Sequence, residues 1–566
     1  MSDAKLLRLV LCWHMHQPEY RNLVTGEYHL PWTYLHAIKD YVDMVAHLEA
    51  VPEARAVVNF APVLLEQIED YHHQIVECLN DGIAIRDDLL AALVDPLLPA
   101  SPEKRLHRVQ DCLRANRERQ ILRHAPYRRL AALADWLAEH PESAAYINAQ
   151  FLADLLVWFH LAWMGETVKR GDARIKRLLD KEHNYTLQDR RELLEIIGEL
   201  LASLIERYRK LAASGQVELA MSPYAHPILP LLQDFECARQ AVPDICLPRC
   251  GPYPGGESRA LWQVQKGREI FRRFFGHEAK GCWPSEGAVR DETLRLLEDH
   301  GFAWTASGGA VLQHSLSKQP GNLRPDRWQG FRLPGASLAC FFREDRLSDL
   351  IGFEYSKWHA DDAVADLIRN LEEIRRSTVP GGTDLVSIIL DGENAWEHYP
   401  ENGYHFLRAL YQGLTRHPDI ELTTFSEYLD HHGPVAEIGT LVPGTWVYGT
   451  FSTWLGDPDK NRGWEMLCDA KRCFDRVVAS RKLTESELRH AEQQLAICEG
   501  SDWFWWFGDL NPEDAVRSFE RQFRMNLSNL YTILGELAPD YLSNVFAHGT
   551  GAQPMGGAMR RSAPRI

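Results

Sequence analysis

The sequence lacks the features that would point to a membrane, to a zinc finger or to nucleic acid. No apolar run approaches the roughly 20 residues that span a bilayer, and the apolar stretch Leu6–Cys12 is too short for a secretory segment. The eleven cysteines include no CxxC pair. A formal net charge of -17 argues against a surface that binds phosphate groups. We therefore expect a cytoplasmic protein with reduced thiols and with neither a nucleic-acid nor a membrane partner.

Tryptophan, by contrast, is abundant. The chain has 17 tryptophans in 566 residues, and many of them stand at the ends of strand-like runs or in aromatic loops. Packing in a large core explains some of them. Exposed indole faces that stack on sugar rings are the functional alternative.

One stretch carries the strongest functional signal. The apolar run Leu385–Leu390 breaks abruptly into Asp391 and Gly392, which indicates a buried parallel strand with a carboxylate at its carboxyl end. Ligands bind at that end of strands in α/β folds. An aspartate that merely caps the next helix is the alternative. Because Trp396 and His398 follow directly, we favour a sugar-binding site.

Short strands alternate with helical stretches along the first three quarters of the chain, which predicts a parallel sheet closed into a barrel. The predicted strands are Leu6–Cys12, Ala54–Phe60, Gly215–Ala220, Gly281–Gly287, Gly301–Ser307, Ser337–Phe342 and Leu385–Leu390.

Changes in the sequence pattern along the chain predict how it divides into structural regions. We predict a catalytic α/β barrel over residues 1–430, with a helical insertion over about 63–210. Helical patterning then predicts a C-terminal region over 431–545 that completes the cleft. The Gly-, Pro- and Arg-rich residues 546–566 are expected to be disordered.

Two histidines follow the first predicted strand. His14 and His16 should point to the same face because side chains alternate along a strand. They could bind a metal, bind substrate or pack as structural groups. A metal site would need further ligands, and the sequence has no HExxH motif.

Taken together, the motifs resemble glycoside hydrolase family 57, and most closely its α-amylase and amylopullulanase-like branch. Coverage runs from about residue 8 to residue 535. The five regions typical of the family have counterparts in the right order: His14–Pro18, Gly215–Leu219, Gly281–Glu286, Leu390–Asn394 and Thr445–Gly456. Arg346–Gly352 and Gly500–Trp506 add further likeness.

The resemblance implies a (β/α)7 barrel, α-glucan or maltooligosaccharide substrates, a retaining mechanism and no cofactor or metal. By position, Glu286 matches the family's nucleophile and Asp391 its general acid/base. Retention requires the two carboxyl groups to lie roughly 5–5.5 Å apart. Glu393 competes with Asp391 for the acid/base role, and the residue types alone do not decide between them.

The resemblance also suggests substrate-binding residues. They are His14, His16, Gln17, Trp283, Trp396, His398, Trp446, Asp502, Trp503 and Trp505, with His226 as a further candidate. One stretch departs from the family pattern, because Ser307, Gly308 and Gly309 stand where acidic residues are expected. That departure affects subsites and bond preference rather than the reaction class.

Three other functions use the same residues. A 4-α-glucanotransferase or branching enzyme would transfer the glycosyl unit to a sugar instead of water. A metal-dependent carbohydrate enzyme would use the histidines as ligands. A non-catalytic glucan-binding protein would keep the aromatic cleft without the chemistry.

Overall fold

The fold is a helix-rich α/β barrel. The computed structural model describes residues 6–95, 99, 101–319, 327–377, 385–431, 433–551 and 559–561. Its strands are β1 (Leu7–Met15), β2 (Ala56–Phe60), β3 (Val217–Met221), β4 (Gly281–Cys282), β5 (Trp304–Ser307), β6 (Gly330–Arg332), β7 (Ala339–Phe342), β8 (Leu385–Asp391), β9 (Ile420–Leu422) and β10 (Val435–Glu437).

Seven parallel strands form the barrel. Their order around the sheet is β8-β1-β2-β3-β4-β5-β7. The two ends of this series meet where Arg343, directly after β7, bridges in parallel to Ser387 of β8. The Glu344 N–H also donates to the Ser387 carbonyl at 2.7 Å. Strands β4 and β8 therefore stand on opposite sides of the barrel mouth.

All seven predicted strands occur as barrel strands, so the (β/α)7 barrel is confirmed. The sequence reading missed β6, β9 and β10. Each has three residues, too few for an alternating or apolar pattern to stand out. They lie outside the ring: β6 pairs antiparallel with β7, β10 pairs with β6, and β9 pairs with the start of β1.

Helices surround this sheet. Before β3 they are α1 (Trp32–His36), α2 (Val42–Glu49), α3 (Pro62–Asp81), α4 (Asp88–Ala91), α5 (Pro102–Asp111), α6 (Ala125–Glu139), α7 (Ala149–Ala162), α8 (Glu166–Gly171), α9 (Ala173–Lys181) and α10 (Leu187–Ala213). Between β3 and β9 they are α11 (Leu229–Gln233), α12 (Gly256–Phe275), α13 (Asp291–Asp299), α14 (Gly309–Ser317), α15 (Asp345–Asp349), α16 (Ala360–Ser377) and α17 (Tyr404–Arg416). After β9 they are α18 (Phe425–Asp430), α19 (Pro458–Ala479), α20 (Glu485–Cys498), α21 (Ser501–Trp506) and α22 (Glu513–Ile533).

The pattern of burial places the core. The side chains of Val10, Cys12 and Trp283 belong to the apolar cluster inside the barrel. Leu9 and Leu11, on the other face of β1, pack against the surrounding helices in a much larger cluster. This alternation along β1 brings His14 to the inner face at the mouth of the barrel.

In the C-terminal region, the aromatic stretch 500–508 contains helix α21, whose first turn carries Ser501 and Asp502. The disorder of residues 546–566 stays a prediction, and among the described residues of this range Ala547 is 2% exposed and Met559 is 6% exposed. Apolar contacts hold these described residues on the body of the protein, while 552–558 and 562–566 lie outside the described residues.

None of the helices in the described part of the chain is long and apolar enough to cross a membrane. All eleven cysteines are free.

Candidate active site

Glu286 is held in a strained backbone conformation at the mouth of the barrel. It lies in the short turn Ser285–Gly287 after β4, with a φ of 60°. A non-glycine residue pays of order 1 kcal/mol or more for this left-handed conformation, and such residues cluster at functional sites. Trp446 fixes Glu286 from outside the turn: its indole Nε1 donates to Glu286 Oε2 at 2.9 Å, and its backbone N–H donates to the Glu286 carbonyl at 3.0 Å.

The surroundings of Glu286 disfavour its charged form. Burial raises its pKa to about 8, and the negative charge of Asp391 acts in the same direction. The hydrogen bond from Trp446 opposes both effects because it stabilises the carboxylate. A buried glutamate in a cleft with a pKa near neutrality is typical of a catalytic carboxyl group.

Asp391 is the last residue of β8, and its backbone is in register with His14 of β1. Asn394 Nδ2 donates to Asp391 Oδ2 at 2.9 Å. Burial raises the pKa of Asp391, while Asn394, His16 and Arg343 lower it. Two half-buried carboxyl groups thus interact electrostatically at the barrel mouth, and together they tend to hold a proton near neutral pH.

Glu393 has a different environment from Asp391. It is 2% exposed, and its Oε1 accepts hydrogen bonds from the His16 N–H at 3.4 Å and from Gln17 Nε2 at 3.3 Å. Burial and the nearby Asp391 charge raise the pKa of Glu393 well above its usual range. Glu393 therefore braces the His16–Gln17 segment through these hydrogen bonds. Asp391 keeps some exposed surface and stays the candidate acid/base.

The histidines form a chain of hydrogen bonds. Burial lowers the pKa of His14 to about 3 and that of His226 well below its usual range, so both rings are neutral. His14 Nδ1 lies 2.6 Å from Asn59 Oδ1, and His14 Nε2 lies 3.0 Å from His226 Nε2. His226 Nδ1 lies 2.9 Å from Ser501 Oγ. These contacts assign protons on His14 Nδ1, His226 Nε2 and Ser501 Oγ.

Both ring nitrogens of His14 thus already have protein partners, and the residue is 3% exposed. That His14 binds the sugar stays a prediction; in the structure its ring contacts Asn59 and orients His226. His226 itself has a φ of 59°, a second strained residue at this site.

His16 and Asp502 join the barrel to helix α21. His16 Nε2 lies 3.0 Å from both carboxylate oxygens of Asp502, and the His16 ring stacks on His226 with centroids 3.8 Å apart. The prediction that His14 and His16 share a face is confirmed, because their rings are 5.7 Å apart and nearly parallel.

His16, His226 and Asp502 also place possible ligand atoms within 4.8 Å of one another, as a metal site would. However, the rings of His16 and His226 are only 20° from parallel. The lone pairs of a ring nitrogen lie in the ring plane, so two stacked rings cannot both point at one ion. This donor set does not fit a metal in the arrangement described.

Arg343 is a site residue that sequence reasoning missed. It is 6% exposed, and its guanidinium lies 5.6 Å from the Trp446 ring centroid. It donates to Asp345 at 3.1 Å, to Asp349 at 3.0 Å and to the Ile389 carbonyl at 2.8 Å. Arg343 follows a predicted strand directly, and a basic residue in that place was the available signal.

The small residues at 308 and 309 have a packing reason. A Cβ on Gly308 would lie 2.5 Å from Trp446 Cα, and one on Gly309 would lie 2.6 Å from the Arg343 carbonyl. Ser307 donates to the Gly287 carbonyl at 2.6 Å. The β5–α14 turn therefore packs too closely against its neighbours, including the segment that carries Trp446, to leave room for acidic side chains at 308 and 309.

Three of the predicted substrate-binding residues are buried or lack a contact with the two carboxylates. Trp396 is 1% exposed and donates to the Gly392 carbonyl, and Trp503 is 1% exposed and donates to the Ile497 carbonyl. Neither offers a face to a sugar ring. His398 Nε2 lies 3.3 Å from Glu397, its neighbour in sequence, and the described residues give it no contact with the two carboxylates.

Trp283, Trp446 and Trp505 differ in what they can offer a ligand. Trp283 is 0% exposed and packs edge-on against Trp446, so its ring supports Trp446 and has no open face for a ligand. Trp446 and Trp505 are half-buried and keep part of their surface open. These two remain candidate sugar platforms.

Buried polar atoms without a protein partner gather at this site. Within the described residues they include Trp283 Nε1, Ser285 Oγ, Asn59 Nδ2 and His16 Nδ1. Buried polar groups are nearly always hydrogen-bonded, so such a group of atoms calls for a polar ligand. A sugar, with a hydroxyl on most carbons, has suitable chemistry.

Comparisons with known proteins agree with the geometry. The model of "Glycosyl hydrolase family 57" matches residues 10–440. A branching enzyme of that family from Thermococcus kodakaraensis superimposes with a TM-score of 0.56 at 17% identity, over 93% of this chain and 90% of that one.

Two further structures are similar. A branching enzyme from Pyrococcus horikoshii has a TM-score of 0.57 at 15% identity, over 99% of this chain and 100% of its own. The α-amylase AmyC from Thermotoga maritima has a TM-score of 0.55 at 14% identity, over 95% and 96%. Identities this low show a shared fold.

Proposed function

Since the chain belongs to glycosyl hydrolase family 57, we propose that it is a retaining hydrolase of α-glucans, of the α-amylase and amylopullulanase type. The proposed bonds are α-1,4 glucosidic bonds, with α-1,6 bonds as the second class to assay. One observation carries the proposal: Glu286, in the turn after β4, and Asp391, at the end of β8, are both half-buried at the barrel mouth, and burial together with the charge of Asp391 raises the pKa of Glu286.

The proposed first step uses the two carboxyl groups in different protonation states. The Glu286 carboxylate attacks the anomeric carbon while Asp391 donates its proton to the glycosidic oxygen, whose bond to that carbon breaks. The product is a glycosyl ester on Glu286. In the second step the Asp391 carboxylate takes a proton from water, and the water oxygen attacks the anomeric carbon and releases Glu286.

A hydrogen bond at each group supports its proposed role. The Trp446 N–H stabilises the Glu286 carboxylate both before attack and when it leaves. Asn394 keeps the Asp391 carboxyl oriented while burial favours its protonated form. His16 and Asp502, joined across the cleft, and Gln17 are proposed to bind sugar hydroxyls next to the cleaved bond.

Transfer to a sugar acceptor is the second candidate. It requires the same glycosyl ester, with a sugar hydroxyl in place of water, and two structural neighbours are branching enzymes. Eleven free cysteines support a reducing compartment, so we propose a cytoplasmic enzyme.

The test is incubation with maltoheptaose, with and without EDTA, followed by sizing of the products. Shorter products that EDTA does not suppress support the hydrolase, and products longer than the substrate support the transferase. Loss of activity with EDTA would instead favour metal-dependent chemistry. Amylose and pullulan as parallel substrates report the bond preference.

The roles of the two carboxyl groups are tested by substitution. Glu286→Gln and Asp391→Asn should each lower turnover by about 10³-fold. With azide as an external nucleophile, Asp391→Ala should form the α-glycosyl azide and Glu286→Ala the β-anomer, because only the former keeps the ester intermediate. The reverse pattern would exchange the roles.

A further inference from the structure

The described C-terminal residues Met559–Arg561 lie on the wall of the active-site cleft. The Arg560 guanidinium sits 4.6 Å from the ring centroid of Trp505, and its Nη2 donates to Asn511 Oδ1 at 2.9 Å. Met559 is 6% exposed. The segment is therefore packed in place on one of the two open tryptophans of the site.

The next residue, Arg561, contacts the barrel. Arg561 forms an ion pair with Glu354, and its guanidinium lies 4.9 Å from the Phe353 ring centroid. Phe353 and Glu354 belong to the barrel, after helix α15, whereas Trp505 and Asn511 belong to the C-terminal region. Two adjacent arginines thus bridge the two parts of the chain that form the cleft.

The same segment is close to the carboxylate proposed as nucleophile. Burial lowers the pKa of Arg560 and raises that of Glu286, and the attraction between their opposite charges partly offsets both shifts. Arg560, held against Trp505 and Asn511, therefore lies near enough to Glu286 for their charges to interact.

We propose that Met559–Arg561 is a strap that covers the glucan cleft and competes with substrate for Trp505. A guanidinium and the C–H face of a glucose ring bind the same indole face, so both cannot occupy it at once. Glucan binding then requires the strap to leave. This inference rests on the proposed function, because it takes an α-glucan as the competing ligand.

The first test uses the exposure of the strap to trypsin, which cleaves after arginine. The full-length Asp391→Asn variant is digested briefly with and without maltoheptaose, and intact-mass spectrometry follows loss of the residues after Arg560 or Arg561. The strap predicts that maltoheptaose speeds this cleavage about two- to fivefold, the factor expected when one cation–π contact is lost. Cellobiose, with its β-linkage, serves as the control sugar. Unchanged or slower cleavage would overturn the proposal.

The second test distinguishes arginines that compete with glucan from arginines that bind it. Arg560→Ala combined with Arg561→Ala should lower KM for maltoheptaose about two- to fivefold, with kcat on the pH plateau unchanged. Arg273→Ala is the matched control, because it removes a guanidinium 4.4 Å from the Phe274 ring, away from the cleft. A higher KM would show that the arginines bind glucan, and a lower kcat would show that they position Glu286.

Assays of the wild-type enzyme distinguish failure of the proposed function from failure of the strap. If the enzyme acts on no α-glucan, the proposed function fails. If it does act, but neither cleavage nor KM responds, only the strap fails.

Discussion

Trp446 contacts Glu286 at both ends of the residue, with its indole N–H on the carboxylate at 2.9 Å and its backbone N–H on the carbonyl at 3.0 Å. The two residues are 160 positions apart and belong to the C-terminal region and the barrel. The double contact fixes a glutamate whose φ of 60° is unfavourable. The C-terminal region therefore contributes directly to the geometry of the carboxylate.

Trp446→Phe should slow the enzyme through this contact. Phenylalanine keeps the aromatic packing against Trp283 but cannot donate to Glu286, so the pKa of Glu286 rises and the nucleophile is less ionised. A hydrogen bond to a charged group contributes about 1.5–3 kcal/mol, which predicts a fall in kcat/KM of about 10- to 100-fold. Steady-state kinetics on maltoheptaose measure it, with an unchanged Tm as the control. Activity equal to that of the wild type would show that the bond does not serve catalysis.

Glu393→Gln should leave most of the activity intact, in contrast to Asp391→Asn. Glutamine keeps an oxygen that accepts from His16 and Gln17, and it resembles the protonated glutamate that burial imposes. We expect kcat/KM within about threefold of the wild type. A loss as large as that of Asp391→Asn would return Glu393 to the list of acid/base candidates.

The pH dependence of kcat/KM should be bell-shaped. The alkaline limb should lie near pH 8, where the pair loses the proton held by the raised pKa of Glu286. The acid limb reports loss of the first proton from the pair of carboxyl groups. Asn394 favours this loss because its hydrogen bond stabilises the Asp391 carboxylate. Asn394→Ala removes that bond, so the pKa of Asp391 rises and the acid limb moves to higher pH. A shift to lower pH would contradict this account.

Arg343→Met should destabilise the fold. Arg343 is buried between Asp345 and Asp349, and its removal leaves both acidic groups without this cation. Breaking a buried pair in this way costs about 3–5 kcal/mol, which thermal melting should report as a clearly lower Tm. The same change at Arg489, whose partner Glu485 is on an exposed helix face, should leave Tm nearly unchanged.

The sequence predicted the barrel strands because each is a short apolar run that ends in polar residues. It also predicted that His14 and His16 share a face, because alternation along a strand is a local property. The apolar run that ends at Asp391 marked this carboxylate locally, whereas Glu286 and the roles of both groups came from the resemblance to the family.

The tryptophans show where local signals fail. Trp396 and Trp505 both stand beside motif residues, yet Trp396 is 1% exposed in the core and Trp505 is half-buried in the cleft. Exposure depends on which helices pack over a residue, which no neighbouring residue encodes. The same holds for Arg343, whose partners become evident only once β7 and β8 meet.

Gly308→Ala tests whether the small residues at 307–309, where the family pattern has acidic residues, are needed to place Trp446. The added Cβ would lie 2.5 Å from Trp446 Cα and 3.0 Å from the Thr445 carbonyl, and both are backbone atoms that can yield only if the segment moves. We therefore expect Trp446 to withdraw from Glu286 and kcat/KM to fall about tenfold or more.

Gly171→Ala is the control for Gly308→Ala, because nothing lies within 4 Å of its added Cβ, and it should leave activity unchanged. A double-mutant cycle then identifies the cause. In the Trp446→Phe background the indole bond is already absent, so Gly308→Ala should cost little more. If the two losses add in full, the glycine acts on the site by some route other than the contact between Trp446 and Glu286.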